Sequence, residues 1–359
     1  MGITPQPGIM DIALYQGGKS AIAGRTDVLK LSSNENPLGP PPSALAALAK
    51  AAAGVHLYPS TDHAGLRLAI GEVHGLDPDR VICGVGSDEV LQFVTQAFAG
   101  PGDEIIHTEH GFSLYPVLIH MAGATAVKVA ERERQVDIDA IIAAVTPRTR
   151  VILVTNPGNP TGTMVPVSKL ERLVDAVRDD IVIVLDGAYT EYADGYDGGT
   201  ALAGSRPNVL MTRTFSKIYG LGGLRIGWGY ADREMIDVMT RIRQPFNLSV
   251  LQLSAAEAAI RDRVWVENCA ALNSAQRARL TGALRQLGWA CDEAHGNFVL
   301  ARLADEAEAT AVDAALQADG ILVRRVGGYG FPEGLRITVG DEDQTGRVIT
   351  ALTRWREGA

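Results

Sequence analysis

The sequence predicts an α/β protein: a large unit built on a mostly parallel, seven-stranded sheet flanked by helices, followed by a smaller α/β unit at the C-terminal end. Three observations carry this. Short β-branched runs recur between residues 81 and 230, with helical patterns between several of them. From about residue 249 the pattern changes to long helices, then to a second, shorter alternation of strands and helices. The first forty residues are rich in Gly and Pro and read as an extended arm.

The arm comprises IALYQGGKS and LSSNENPLGPPP, and the Ala-rich stretch 44–53 reads as a helix. The strand runs follow: VICGV (81–85), EIIHT (104–108), ATAVKVA (124–130), RVILVTN (150–156), DIVIVLD (180–186), NVLMTRT (208–214) and RIGWGY (225–230). One intervening helix spans 88–99, with apolar residues at 90, 91, 94, 97 and 98. Another spans 168–177 and is expected to open on a capping box of Ser168 and Glu171. Strands alternating with helices call for a parallel sheet covered on both faces. Past 249, AAEAAIRDRVWVENCAALNSAQRARLTGALRQLG gives long helices. GNFVLARL, ILVRRV and LRITVG give strands, with helices near 306–319 and 342–356. The expected division is an arm at 1–40, a large unit at 41–250 and a small unit at 251–359 that part of the arm joins. No internal repeat or low-complexity tract interrupts it.

Composition narrows the function. The chain has 359 residues, 46% hydrophobic and 21% charged, and a formal net charge of −9. No stripe of Lys or Arg forms, which argues against nucleic acid or a membrane surface as partner. Cys83, Cys269 and Cys291 are far apart, odd in number and without C-x-x-C spacing, as in a reducing compartment. The N-terminal residues lack a basic stretch followed by an apolar core, and no apolar run is long enough to span a bilayer. A cytoplasmic protein is expected. His107 and His110 lie three apart in HTEH with no third ligand in view, so no metal site is expected.

Polar residues cluster where ligands bind in open α/β sheets, at the carboxyl ends of strands. VICGVGSDEVLQF is a strand, a Gly-flanked turn and a helix start. Gly84 and Gly86 permit close approach of a ligand, Ser87 is placed to cap the helix, and free N–H groups there suit a phosphate. It is neither G-x-G-x-x-G nor a Walker loop. VILVTNPGNPTGT places two Asn-Pro pairs after a buried strand. DIVIVLDGAY ends a strand on Asp186, with Tyr189 three residues on; paired with a cationic ring nitrogen, such an acid would keep it protonated. In TRTFSKIYGLGGLRIGW, Lys217 sits among Ser, Thr, Gly and apolar residues with no acidic neighbour. Such surroundings lower a lysine's pKa and free its amine as a nucleophile. The nearby hydroxyls and Arg225 point to a phosphate-bearing cofactor.

GVGSDE, NPGNPTG, the Asp186–Tyr189 pair and TFSKIYGLGGLRIG, in this order, resemble fold-type I pyridoxal-phosphate aminotransferases. LSSNENPLGP, YPSTDHAGLR and GLRITVG narrow the resemblance to the histidinol-phosphate aminotransferase branch, and it covers Tyr15 to Gly340. The resemblance implies that Lys217 bonds the aldehyde of pyridoxal 5'-phosphate and then shuttles a proton, and that Asp186 pairs with the ring nitrogen. It gives Tyr189 and Asn159 the ring's phenolic oxygen and Phe112 the ring face. The cofactor phosphate falls to the turn at Gly86, Ser87 and Asp88, to Thr214, Ser216 and Arg225, and to Tyr58 of a neighbouring subunit. The active unit would therefore be a homodimer. Arg336 would take the substrate carboxylate, Arg324 would lie near the substrate, and Tyr15 and Asn34 would line its pocket. Leu335, Ile337 and Val339 alternate with Arg336, which places the arginine on the other strand face.

The chain departs from the family pattern at Gly187 and Gly158, at Phe112 where tyrosine is usual, and at Gly17 where proline is common. The implied reaction transfers an amino group between L-histidinol phosphate and 2-oxoglutarate, in histidine biosynthesis. An aromatic-amino-acid aminotransferase is the nearest alternative, and an amino-acid-phosphate decarboxylase or a non-catalytic regulator on the same fold is more remote. Lys19 and Arg325 read as solvated charges rather than ligands of a substrate phosphate.

Overall fold

The computed structural model describes every residue except Met1, Gln6, Ala13, Tyr15, Gln16 and Ala359. The arm contains β1 (Leu29–Lys30) and is followed by α1 (Pro42–Ala51) and α2 (Ala64–His74). Next come β2 (Val81–Gly84), α3 (Ser87–Phe98), β3 (Glu104–Thr108), α4 (Tyr115–Met121) and β4 (Thr125–Val129). The alternation continues with α5 (Ile138–Ala143), β5 (Thr149–Thr155), α6 (Val167–Ala176) and β6 (Val182–Asp186). It closes with α7 (Thr200–Ser205), β7 (Val209–Thr214), β8 (Gly227–Tyr230) and α8 (Arg233–Ile242).

Strands β2 to β8 form one sheet of seven in the order β2-β8-β7-β6-β5-β3-β4. β8 runs antiparallel to β2 and β7; the other pairings are parallel. The residue parity of the central strands shows why both faces are covered. Ile152, Val154, Ile183, Leu185, Val209 and Met211 enter one core, with α2 and α6. Their neighbours Val151, Leu153, Val182, Val184 and Leu210 enter another, with α3, α4 and α8. Parallel strands buried on both sides read as continuous apolar runs, as these do.

The second half contains α9 (Val250–Arg261), α10 (Arg263–Gln286), β9 (Ala290–Cys291), β10 (Phe298–Arg302) and α11 (Glu306–Ala318). It ends with β11 (Ile321–Leu322), β12 (Arg324–Val326), β13 (Phe331–Thr338) and α12 (Glu342–Glu357). β12, β13, β10 and β9 form an antiparallel sheet. β1 pairs in parallel with β11, and Leu29 and Leu31 join the core of this unit. α9 lies beyond residue 250, yet its Ala255, Ala256, Ala259 and Ile260 pack in the core of the large sheet. α10 bridges the two cores, with Cys269 in the first and Leu280 and Leu284 in the second. We therefore propose that the division falls within α10.

Two local expectations are corrected. Pro166, not Ser168, stands at the N-cap of α6, and no side chain caps that helix. Proline at this point sets the chain's entry, so Ser168 lies inside the first turn, where it cannot cap. Ser87 is likewise the first residue of α3 rather than its cap; Gly86 holds the N-cap position at φ 79°, again with no side-chain cap.

Candidate active site

The carboxyl ends of β5, β6 and β7 open onto a cavity of about 480 Å³. Asp186 closes β6, with Thr155 of β5 and Thr212 of β7 directly opposite it in register. By parity all three share the sheet face that α3 and α4 cover, as does Thr214. Asp186 is 3% exposed. Its Oδ2 accepts from Tyr115 Oη at 2.8 Å and its Oδ1 from Thr212 Oγ1 at 3.2 Å. Burial pushes its carboxyl up to about 6, against the lowering effect of the Tyr115 hydrogen bond.

Lys217 enters the same cavity from the loop after β7. Its Nζ donates to Ser33 O at 3.3 Å and lies 5.8 Å from the centre of the Tyr189 ring. Burial lowers its pKa to about 8, and the Arg336 guanidinium acts in the same direction. Desolvation is the main cause, but the surroundings are not charge-poor as the local sequence suggested: Arg336, Asp88, Glu35 and Arg225 all act on the amine. Burial pushes the Tyr189 phenol up to about 12, so it stays protonated.

On one flank, Arg225 donates from Nη2 to Asp88 Oδ2 at 2.7 Å and from Nη1 to Ser216 Oγ at 3.2 Å. The Ser216 amide donates to Thr214 Oγ1 at 3.0 Å. Ser87, Asp88, Thr214, Ser216 and Arg225 thus face one corner of the cavity, at the start of α3. Gly227 makes that corner possible: a Cβ there would stand 2.1 Å from the Ser87 nitrogen. The departure at Gly187 also has a local reason. A Cβ would approach Thr190 Oγ1 to 2.5 Å and the Thr212 carbonyl oxygen to 3.0 Å.

The opposite wall comes from remote segments. Asn34 of the arm takes φ 58°, a region where asparagine is enriched. Its amide donates to Thr338 Oγ1 at 3.0 Å, and its Nδ2 to Tyr189 Oη at 3.0 Å. Asn297 Nδ2 donates to the Asn34 carbonyl at 2.9 Å. Arg336 projects from β13 away from Leu335, Ile337 and Val339, which pack in the small core. It donates to Asn159 Oδ1 at 2.6 Å and to Ser32 O at 2.9 Å. Arg324 stands directly across β12–β13 from it and lines the same cavity. Arg325 turns away, donating to Thr310 Oγ1 at 2.6 Å and Pro332 O at 2.9 Å.

Phe112 lines the cavity, edge-on to Tyr115 at 6.0 Å. Tyr58 does not line it; that ring is 83% exposed and stacks on Phe246 at 4.5 Å. Gly86 stands behind Arg225, with a Cβ there only 2.7 Å from Nη2. Tyr15 lies outside the described residues. Lys19 and Arg325 line an adjoining cavity of about 730 Å³ that shares Arg324 and Tyr329, and Lys19 donates to Gln317 Oε1 at 3.1 Å. Sequence reasoning passed over Tyr115, Thr155 and Thr212. The signal was present for the threonines, which are polar strand-end residues in phase with Asp186. Among the described residues no His, Cys, Asp and Glu group is arranged to hold a metal, and no helix is long and apolar enough to cross a membrane.

Known proteins share this arrangement of chain. The family described as aminotransferase class I and II matches residues 26–352. A histidinol-phosphate aminotransferase from Ruegeria pomeroyi is 62% identical, covering 99% of this chain and 98% of its own. One from Jannaschia sp. is 59% identical, covering 98% of each. The crystal structure of histidinol-phosphate aminotransferase from Sinorhizobium meliloti in complex with pyridoxal-5'-phosphate superposes with a TM-score of 0.91, at 25% identity over 99% of both chains. The chain belongs to the class I and II aminotransferases.

Proposed function

We propose that this protein is a pyridoxal-phosphate-dependent, cytoplasmic aminotransferase that moves an amino group between L-histidinol phosphate and 2-oxoglutarate. The observation that carries the reading is the convergence of Lys217, Asp186 and the Arg324–Arg336 pair on one cavity. Relatives named for this activity, at up to 62% identity over nearly the whole chain, support it.

The residues fit the cofactor. A glycine-backed turn at the start of α3, with Thr214, Ser216 and Arg225, offers donors and positive charge to a phosphate. Asp186 lies buried at the cavity floor, where a protonated ring nitrogen would give its carboxylate a counter-charge. Tyr189 and Asn159, which line the cavity, would offer a hydroxyl and an amide to the phenolic oxygen, and Phe112 would offer an apolar ring face. When bound, pyridoxal phosphate supplies an aldehyde for the amine and an electron sink for the bond at its carbon.

The chain's own residues do the rest. Lys217 Nζ takes the proton from the substrate carbon and returns it. At a pKa of about 8, roughly a tenth of the amine is free base at pH 7, several hundred times more than for an ordinary lysine. Arg336 orients a carboxylate with its planar fork, itself fixed by Asn159 and Ser32. Two arginines paired in register across β12–β13 and lining one cavity favour doubly anionic substrates. Histidinol phosphate and 2-oxoglutarate are both of that kind; phenylalanine is not.

The assembly we propose is a homodimer in which Tyr58 serves the partner's phosphate corner. Its exposure outside its own cavity, beside exposed Val55, Leu57 and Phe246, supports this. The substrate assignment is tested by kcat/KM for histidinol phosphate, phenylalanine and tyrosine as amino donors. Histidinol phosphate should exceed both by at least about tenfold; equal values, or carbon dioxide as product, would overturn the assignment.

A further inference from the structure

Asp186 is held by hydroxyls whose protons can be traced. Tyr115 Oη donates to Asp186 Oδ2 at 2.8 Å and also lies 2.6 Å from Thr155 Oγ1. A phenol carries one proton. With that proton given to Asp186, Thr155 must be the donor in the second bond. We propose that Thr155 and Tyr115 form an oriented hydroxyl relay that keeps the Asp186 carboxylate ionised and aimed at the cofactor ring nitrogen, which makes both of them positioning residues for transamination. The inference rests on reading the cavity as a pyridoxal-phosphate site.

The fold builds the relay from three elements. Thr155 and Asp186 are direct neighbours in register across β5 and β6, on one sheet face. Tyr115 opens α4 and is fully buried in the apolar layer on that face, among Leu153, Val184 and Leu118. A carboxylate in such surroundings loses its hydration, and two aligned O–H dipoles replace part of it. Thr212 supplies a second donor to the other oxygen.

The charged and titratable groups around Asp186 give it little other help. Asp88 on α3 opposes its ionisation. Tyr189 and Tyr196, from the segment after β6, are phenols that burial keeps protonated. Lys217 and Arg225 line the cavity on the open side. Burial likewise pushes the Tyr115 phenol well above its ordinary range, so it remains a donor throughout the working pH. Phe112 packs edge-on against the Tyr115 ring and so couples the ring-face residue to the relay.

The test compares wild type with Tyr115→Phe, Thr155→Val and Thr155→Ser. Two quantities are read: the affinity of cofactor-stripped protein for pyridoxal phosphate, by absorbance titration, and the acid limb of kcat/KM in the holoenzyme. Losing a donor to a buried carboxylate raises its pKa, so the acid limb moves to higher pH. Tyr115→Phe should weaken cofactor binding about tenfold and move the limb up by about one unit. Thr155→Val should act in the same direction by about threefold, and Thr155→Ser should stay within about twofold of wild type. If Tyr115→Phe and Thr155→Val both bind and titrate like wild type, the relay is refuted, even where they melt earlier. Should Tyr115→Phe fail to fold, the Thr155→Val and Thr155→Ser pair decides alone. A wild type that binds no pyridoxal phosphate overturns the site reading itself; one that binds normally while the variants match it overturns only the relay.

Discussion

The two walls of the cavity are built differently. The wall we assign to the cofactor is a run of strand ends in one sheet: Thr155, Asp186 and Thr212 share a face and a level, and Thr214 follows on the same face two residues further along β7. The wall we assign to the substrate is gathered from afar. Asn34 from the arm meets Thr338 of β13 across 304 residues of sequence, and Arg336 meets Asn159 across 177. One wall inherits its geometry from a rigid sheet; the other depends on the arm and the small unit docking correctly. Cofactor-side changes should therefore act on chemistry and electrostatics, and substrate-side changes on recognition.

The largest expected effect lies on the sheet side. Lys217→Ala should lower the single-turnover rate by about 10⁴-fold or more, because it removes both the anchoring amine and the proton carrier. Retained turnover would break the assignment of that wall. Asp186→Asn should follow, at about 10²–10³-fold in kcat, because the buried negative charge is lost while the shape is kept. An unchanged kcat would show that the carboxylate acts only in packing.

The contrast was partly legible in the sequence. Strands such as EIIHT and VIVLD announce themselves by burial on both faces, and a polar residue at a strand end is visible by its parity. Lys217 and Arg225 stand out in TFSKIYGLGGLRIG because one short loop carries them both. The substrate wall gives no comparable local signal. Arg336 reads as an ordinary outward strand residue until β13 is placed beside the arm. Tyr115 was hidden for another reason: its ring belongs to an apolar core, and only its hydroxyl reaches the site. The capping box expected at Ser168 failed because Pro166 had already set the start of α6.

On the substrate side, Arg336→Ala should raise KM by about 10–100-fold for glutamate and for histidinol phosphate alike, with a smaller change in kcat. Stopped-flow measurement of each half reaction checks this. Impairment with glutamate alone would separate the two anion sites and sharpen the picture of that wall.

The last expected effect is on stability rather than on turnover. Folding raises the Asp186 pKa from 3.8 to about 6, mainly through burial. A group raised in this way contributes stability below its unfolded pKa that is lost as pH rises through the folded one. In cofactor-stripped protein the ionised Asp186 should therefore weaken the fold above about pH 6. Replacement by Asn should stabilise that protein by about 2–3 kcal/mol at pH 8 and by little at pH 4. Denaturant unfolding at the two pH values measures it. A variant equally destabilised at both would mean that the relay's hydrogen bonds outweigh the desolvation cost.

The central claim is that Lys217 is the residue that holds the cofactor. It is tested most directly by reducing the holoenzyme with borohydride, digesting it and locating the phosphopyridoxyl group by mass spectrometry. The account predicts one modified lysine, Lys217, in the peptide containing TFSKIYGLGGLR. The group on any other lysine, or on none in a protein that turns over, would contradict it.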